Sequence, residues 1–171
     1  MSTQIFLHIE IAGNQIKGEA TTAGYEGEIE VESFSWGMSA KNSPKVDDQT
    51  ASSRTSYDRL SISKLYDKAS INLTRYMTQR AAFDHVQLTV DQHQHAGGKK
   101  KENPVLVIDL ADGFIEDVKL SMSESGKSAT IKEDLTLSFR KIDITYFPAS
   151  ADRSQRQPGV SFNAVLPAIN K

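Results

Sequence analysis

The 171-residue chain contains no cysteine, which excludes disulfides, thiolate metal sites and cysteine nucleophiles together. It has no run of about 18 apolar residues, so no helix of it is expected to cross a bilayer. Met1 to Ile11 alternates polar and apolar residues instead of setting a basic stretch before an apolar one, the pattern of a cleavable secretory signal. The chain is therefore expected to fold in the cytoplasm. A basic excess is also missing: 20 Lys and Arg stand against 22 Asp and Glu. A phosphate-binding surface normally announces itself by such an excess, so neither nucleic acid nor membrane insertion is indicated.

What is present is strand periodicity, because alternate residues of a strand share a face. Ile5, Leu7, Ile9 and Ile11 form one apolar face, with Phe6, His8 and Glu10 opposite. Val86, Leu88 and Val90 repeat the pattern against Gln87, Thr89 and Asp91, as do Leu135, Leu137 and Phe139 against Thr136, Ser138 and Arg140. Further strands read at Glu28 to Trp36, Tyr57 to Leu65, Val105 to Leu110 and Phe114 to Met122, rich in β-branched and aromatic residues. Val105 to Ile108 is apolar at every position, as in a strand covered on both faces.

Two strands change face partway along. Ile29 and Val31 are odd-numbered whereas Phe34 and Trp36 are even; Leu135, Leu137 and Phe139 give way to Ile142, Ile144 and Tyr146. A one-residue bulge would produce each shift, and bulges bend sheets at barrel corners. The expected fold is mainly β, a curved barrel of about seven to eight strands. One flanking α-helix is expected at about residues 71–80, capped by Ser70 or Asp67, with Leu73, Tyr76 and Met77 as its apolar stripe.

Two segments lack a core pattern. Residues 37–56 form a polar loop of about 20 residues, a length that is usually functional or disordered. Residues 149–171 form a tail beyond the 1–148 barrel domain; its linker-like start precedes Val160, Phe162, Val165, Leu166 and Ile169, which suggests docking on the domain or on a neighbour.

Catalytic chemistry is hard to assemble from these residues. Ser121 to Ser128 ends like a phosphate-binding loop, but Ser121 replaces the first glycine, Glu124 would repel a phosphate, and a strand follows. Asp91, His93 and His95 share a face with His85, a spacing that suits metal ligands, yet the segment runs into the flexible basic turn Gly97 to Lys101. We read them as exposed polar residues near a hairpin end. Gly37-Met38-Ser39-Ala40-Lys41 lacks the second glycine of a nucleophile elbow. Glu28, Glu30 and Glu32, like Asp47 and Asp48, sit in solvated contexts that do not tune an acid or base. Beside Glu102, the lysines 99–101 read as a solvated hairpin tip. No catalytic residue, cofactor site or metal site is assigned, and a structural or interaction role is favoured.

Ile16-Lys17-Gly18-Glu19-Ala20, then Gly27-Glu28-Ile29-Glu30-Val31, then Ser33-Phe34-Ser35-Trp36-Gly37 closely resemble the haemolysin-coregulated proteins of type VI secretion systems. Ile62 to Ser70 and Leu135 to Tyr146 with Pro148 extend the resemblance over nearly the whole chain. Phe162 stands where a tryptophan is common in that family. The resemblance implies a barrel assembling as a homo-hexameric ring, rings stacked into a tube within a contractile sheath, and contacts with spike and baseplate proteins. It further implies secretion into target cells without a cleavable signal peptide, with effector proteins carried in the lumen. In such a ring Ser33, Ser35, Gln87, Thr89 and Asp91 are the candidates for facing the lumen. Lys41, Asn42, Pro44, Lys45, Asp47 and Asp48 are the candidates for contact between rings. The alternative is a cargo-adaptor or regulatory module of the same fold that builds no tube.

Overall fold

Leu7, Ile9 and Ile11 turn inward without residual exposure, and the strands that meet them build the rest of the core. The structure, a computed structural model, describes residues 2–41, 54–96, 99–101, 103–151 and 155–166. Its strands are β1 (Ser2–Ile11), β2 (Asn14–Gln15), β3 (Ile29–Val31), β4 (Ser33–Ser35), β5 (Met38–Lys41), β6 (Arg54–Tyr57) and β7 (Leu60–Leu65). Helix α1 (Lys68–Thr78) precedes β8 (Ala82–Ala96), β9 (Lys99–Lys101), β10 (Pro104–Ala111), β11 (Gly113–Ser125), β12 (Ser128–Ser138), β13 (Lys141–Tyr146) and β14 (Val160–Val165).

The pairings are antiparallel, and most fall into two runs, β3-β1-β8-β10-β13-β14 and β4-β7-β12-β11; β2 pairs with β1, β9 with β8, and β5 with β6 as a separate hairpin. Between the runs, Gly113 and Phe114 of β11 pair with Phe83 and Ala82 of β8. The chain itself passes from one run to the other through α1, between β7 and β8, and at three tight corners: Glu32, Asp112 and Phe139–Arg140. Each corner is held. Glu32 N–H donates to Ser63 O at 2.8 Å, and Arg140 N–H reaches the carbonyls of Ala111 and Asp112. Asp112 adopts φ 55° and its carboxylate lies 3.3 Å from Lys141 Nζ.

These corners explain the two expected face changes, with a different cause. The shift between Val31 and Phe34 and that between Phe139 and Ile142 are breaks where the chain changes sheet, so neither is a bulge within one strand. True register shifts lie elsewhere, between Ile115 and Asp117 of β11, between Pro104 and Leu106 of β10, and at Glu10/Ile11 of β1. Corner breaks and short ladder strands raise the strand count above the seven to eight expected. Val105 to Val107 is half-buried, so that stretch is not covered on both faces as expected.

Helix α1 begins three residues before the expected Ile71. Asp67 is its N-cap and accepts from Ala69 N–H, while Ser70 Oγ accepts from Asp67 N–H, closing a capping box. Leu73 is buried, with Tyr76 and Met77 packed on the core. Tyr57 belongs to β6 and not to the strand that follows, because the chain breaks at Asp58–Arg59. The arms of the expected 37–56 loop are also ordered: β5 and β6 pair from Met38↔Tyr57 to Lys41↔Arg54.

The tail returns to its own barrel. β14 pairs along all six residues of β13, and Arg156 donates to Gln92 Oε1 at 2.7 Å and Asn103 Oδ1 at 3.0 Å.

Candidate functional site

The outward faces of the strands carry the polar residues, and register decides which of them meet. On the β4-β7-β12-β11 run two rows cross the sheet: Ser33–Ser63–Asp134–Lys119 and Ser35–Ser61–Thr136–Asp117. Phe34, Ile62, Leu135 and Val118 lie between these rows and point to the core. Ser33 and Ser35 are exposed and help line a shallow groove of about 280 Å³ with Ser61, Ser63 and Thr136. Its polar surface is short hydroxyls together with the Asp134 carboxylate and the ion pair of Lys119 Nζ with Asp117 Oδ2 at 3.8 Å.

Gln87 belongs to a different face. Its row runs His8–Gln87–Asp109–Asp143–Asn163 across β1, β8, β10, β13 and β14. Asp109 Oδ1 accepts from Gln87 Nε2 at 3.0 Å and pairs with His85 Nε2 at 2.8 Å. His8 lies 2.9 Å from Glu10 Oε1 and 3.7 Å from Glu28 Oε1.

Thr89 and Asp91, expected on that same solvated face, are buried instead. The segment between β2 and β3 folds across it: Gly18 N–H donates to Gly27 O, and Tyr25 stacks on Phe6 with ring centroids 4.2 Å apart. Beneath it Asp91 has no exposed surface and accepts from Tyr25 Oη at 2.6 Å and Asn103 N–H at 3.0 Å. Alternation places Asp91 on the outer side of β8, but it does not reveal a loop arriving from 66 residues away. The five lumen candidates therefore separate into the serine face, the Gln87 row and a buried pair.

Of the inter-ring candidates, Lys41 ends β5 and is exposed. Asn42, Pro44, Lys45, Asp47 and Asp48 lie outside the described residues, as do the side chains of His93 and His95. Among the described residues no three metal-ligating groups converge. The stretch resembling a phosphate loop is the β11–β12 hairpin end. Ser125 pairs with Ser128, leaving Gly126 at φ 66° and Lys127 as a two-residue turn.

One cluster escaped the reading of the sequence. Lys64 and Glu133 are register partners with no exposed surface, and Lys64 Nζ also reaches Asp67 Oδ1 at 2.8 Å, Ser70 Oγ at 2.9 Å and Leu65 O at 3.0 Å. The signal was present: Lys64 continues the inward parity of Leu60 and Ile62, and Glu133 that of Leu135 and Leu137.

The bent sheets carry polar outer ladders, and a charged cluster seats the helix on them. A family model described as "Type VI secretion system effector, Hcp" matches residues 6–146. Protein hcp1 of Pseudomonas aeruginosa is 29% identical over 154 residues, covering 89% of this chain and 88% of that protein. Two solved structures share the fold. A variant of the Hcp1 protein from the E. coli EAEC 042 pathovar has a TM-score of 0.71 at 16% identity, covering 96% of this chain and 99% of that one. Hcp1 from Salmonella typhimurium has a TM-score of 0.69 at 22% identity, covering 97% and 96%. The chain belongs to the Hcp family, whose proteins form the type VI secretion tube. These are secreted structural proteins that assemble as rings.

Proposed function

We propose that six copies of this chain close into a ring, that rings stack into the inner tube of a type VI machine, and that the serine face lines the lumen. The observation that carries the last point is the composition of the two rows through Ser33 and Ser35. A channel wall that lets a protein slide past needs wetted, short side chains without apolar anchors, because large desolvated aromatics are what hold partners tightly. The Gln87 row is bulkier and engaged in its own contacts, and we assign it away from the lumen.

The ordered β5–β6 arms support a role for residues 42–53 in reaching the next ring. Deleting those residues is expected to leave rings intact while abolishing tubes. In this reading the assembled tube sits in the cytoplasm within a contractile sheath, meets spike and baseplate proteins at its ends, and is delivered with effectors inside.

The decisive experiment is the mass of the purified chain by light scattering, with electron micrographs of the same sample. About sixfold the monomer mass and annular particles are expected. A persistent monomer at every concentration would favour an adaptor module over a tube subunit.

A further inference from the structure

Asn103 stands where distant parts of the chain meet, and each of its polar atoms is engaged. Its backbone N–H donates to Oδ2 of the buried Asp91 at 3.0 Å, and its carbonyl accepts from Gln92 N–H at 3.1 Å. Its Nδ2 donates to Gln92 O at 3.0 Å, and its Oδ1 accepts from Arg156 Nε at 3.0 Å. The same Asp91 Oδ2 accepts from Tyr25 Oη. An unbroken chain of hydrogen bonds, Tyr25–Asp91–Asn103–Arg156, thus joins the 17–28 segment to the tail across β8. We propose that Arg156 is a latch, and that the 17–28 segment and residues 155–166 open together as one strap. Its release bares the edge of β13 and the outer side of β8 in a single step.

The tail is held mainly by hydrogen bonds. Five of the six residues of β14 are exposed, Val160, Phe162 and Val165 among them, and Ala164 alone of that strand packs on the core. Its fastenings are the ladder to β13, Ser161 Oγ with Thr145 Oγ1 at 2.9 Å, and Leu166 N–H to Arg140 O at 2.7 Å. Arg156 carries the tail past β13. It bridges to Ala149 where the chain turns back, and its guanidinium donates to Gln92 Oε1 on β8 at 2.7 Å and to Phe147 O at 3.4 Å. Segments with little apolar burial open at low free energy, as contiguous cooperative units.

Burial makes the two covers one unit. Asp91 has no exposed surface, so its carboxyl depends on the donors arranged around it. When Arg156 lets go, Asn103 Oδ1 loses a charged donor, and the turn that aims Asn103 N–H at Asp91 loosens. Bonds in such a chain polarise one another, so losing one weakens the next. A carboxyl that loses a donor inside the protein gains by meeting water, and the 17–28 segment is what lies over it.

Amide hydrogen exchange on the full chain, read by mass spectrometry, tests the latch. In the parent protein the 17–28 amides and those of β14 are expected to share one protection factor, lower than that of the β1–β8 ladder. Arg156→Gln is expected to speed exchange in both segments by the same factor, at least about tenfold, the equivalent of one lost hydrogen bond to a charged group. The end of the β11–β12 hairpin should keep its rate. Coupling between sites is reciprocal, so Tyr25→Phe should speed exchange in β14 as well. Different protection of the two segments in the parent would overturn the proposal. So would an Arg156→Gln protein in which β14 alone, or neither segment, exchanges faster. The same holds for a Tyr25→Phe protein whose β14 exchanges at the parent's rate.

Discussion

Lys64 Nζ lies 3.0 Å from Glu133 Oε2 inside the barrel, and neither side chain reaches solvent. The three ammonium hydrogens are directed to Leu65 O, Asp67 Oδ1 and Ser70 Oγ, so Glu133 is held chiefly by charge. One cation thus joins β7, β12 and the first turn of α1. Removing one member of such a pair leaves an uncompensated buried charge, which costs about 3–5 kcal/mol. Lys64→Met should lower stability by that amount in denaturant melts. Lys64→Met with Glu133→Leu should recover much of it, since two apolar residues can replace a buried pair. An additive double variant would show that the two residues act separately.

Gly113 should tolerate no side chain. A Cβ there would meet Ser138 O at 1.9 Å and Phe83 Cζ at 2.4 Å, where β11 crosses to β8 and the backbone cannot retreat. Gly113→Ala is expected to cost at least about 3 kcal/mol, the upper end for overpacking. Gly126→Ala is the contrasting case: nothing lies within 4 Å of its Cβ, but φ is +66°. Its cost should be only about 1–2 kcal/mol, from the left-handed backbone alone. Thermal melts of the two variants compare them directly.

Tyr25→Phe removes a donor from the buried Asp91 carboxyl while keeping the stack on Phe6. A hydrogen bond to such a group contributes about 1.5–3 kcal/mol, and chemical denaturation should show a loss in that range. A change under about 0.5 kcal/mol would mean that the Tyr25–Asp91 bond adds little to holding the 17–28 segment over β8.

Ser35→Trp tests the serine face. The residue is exposed and, among the described residues, pairs through the β4–β7 ladder, so stability should shift by no more than about 0.5 kcal/mol. Rings should form normally while co-purification of lumenal cargo falls. Unchanged retention of every cargo would place the lumen elsewhere.

Much of the fold was legible in the sequence because alternation is a local property. Ile5 to Ile11, Val86 to Val90 and Leu135 to Phe139 each announced a strand and its inner face. The missed cases have local causes of their own. The apolar stripe alone places the helix start too late because Lys68 and Ala69 add little to it, although the capping pair Asp67 and Ser70 marks the true boundary. Lys64 and Glu133 were passed over because burial of a charge is decided by its partner, and that partner lies on another strand.

Composition and periodicity by themselves determined a cysteine-free, bent β-protein with one helix. Together with the residues from Ile16 to Gly37 they also determined its kinship. The tertiary structure decided what covers each face: which hydroxyls stay open on the β4-β7-β12-β11 run, why Thr89 and Asp91 are hidden, and where the chain turns from one sheet to the other. The physical reason is that a strand's period fixes two sides without naming what lies against either. Covering a side depends on segments far away in sequence, such as Tyr25 over Asp91, and those meetings exist only once the sheet has curled and the chain has folded.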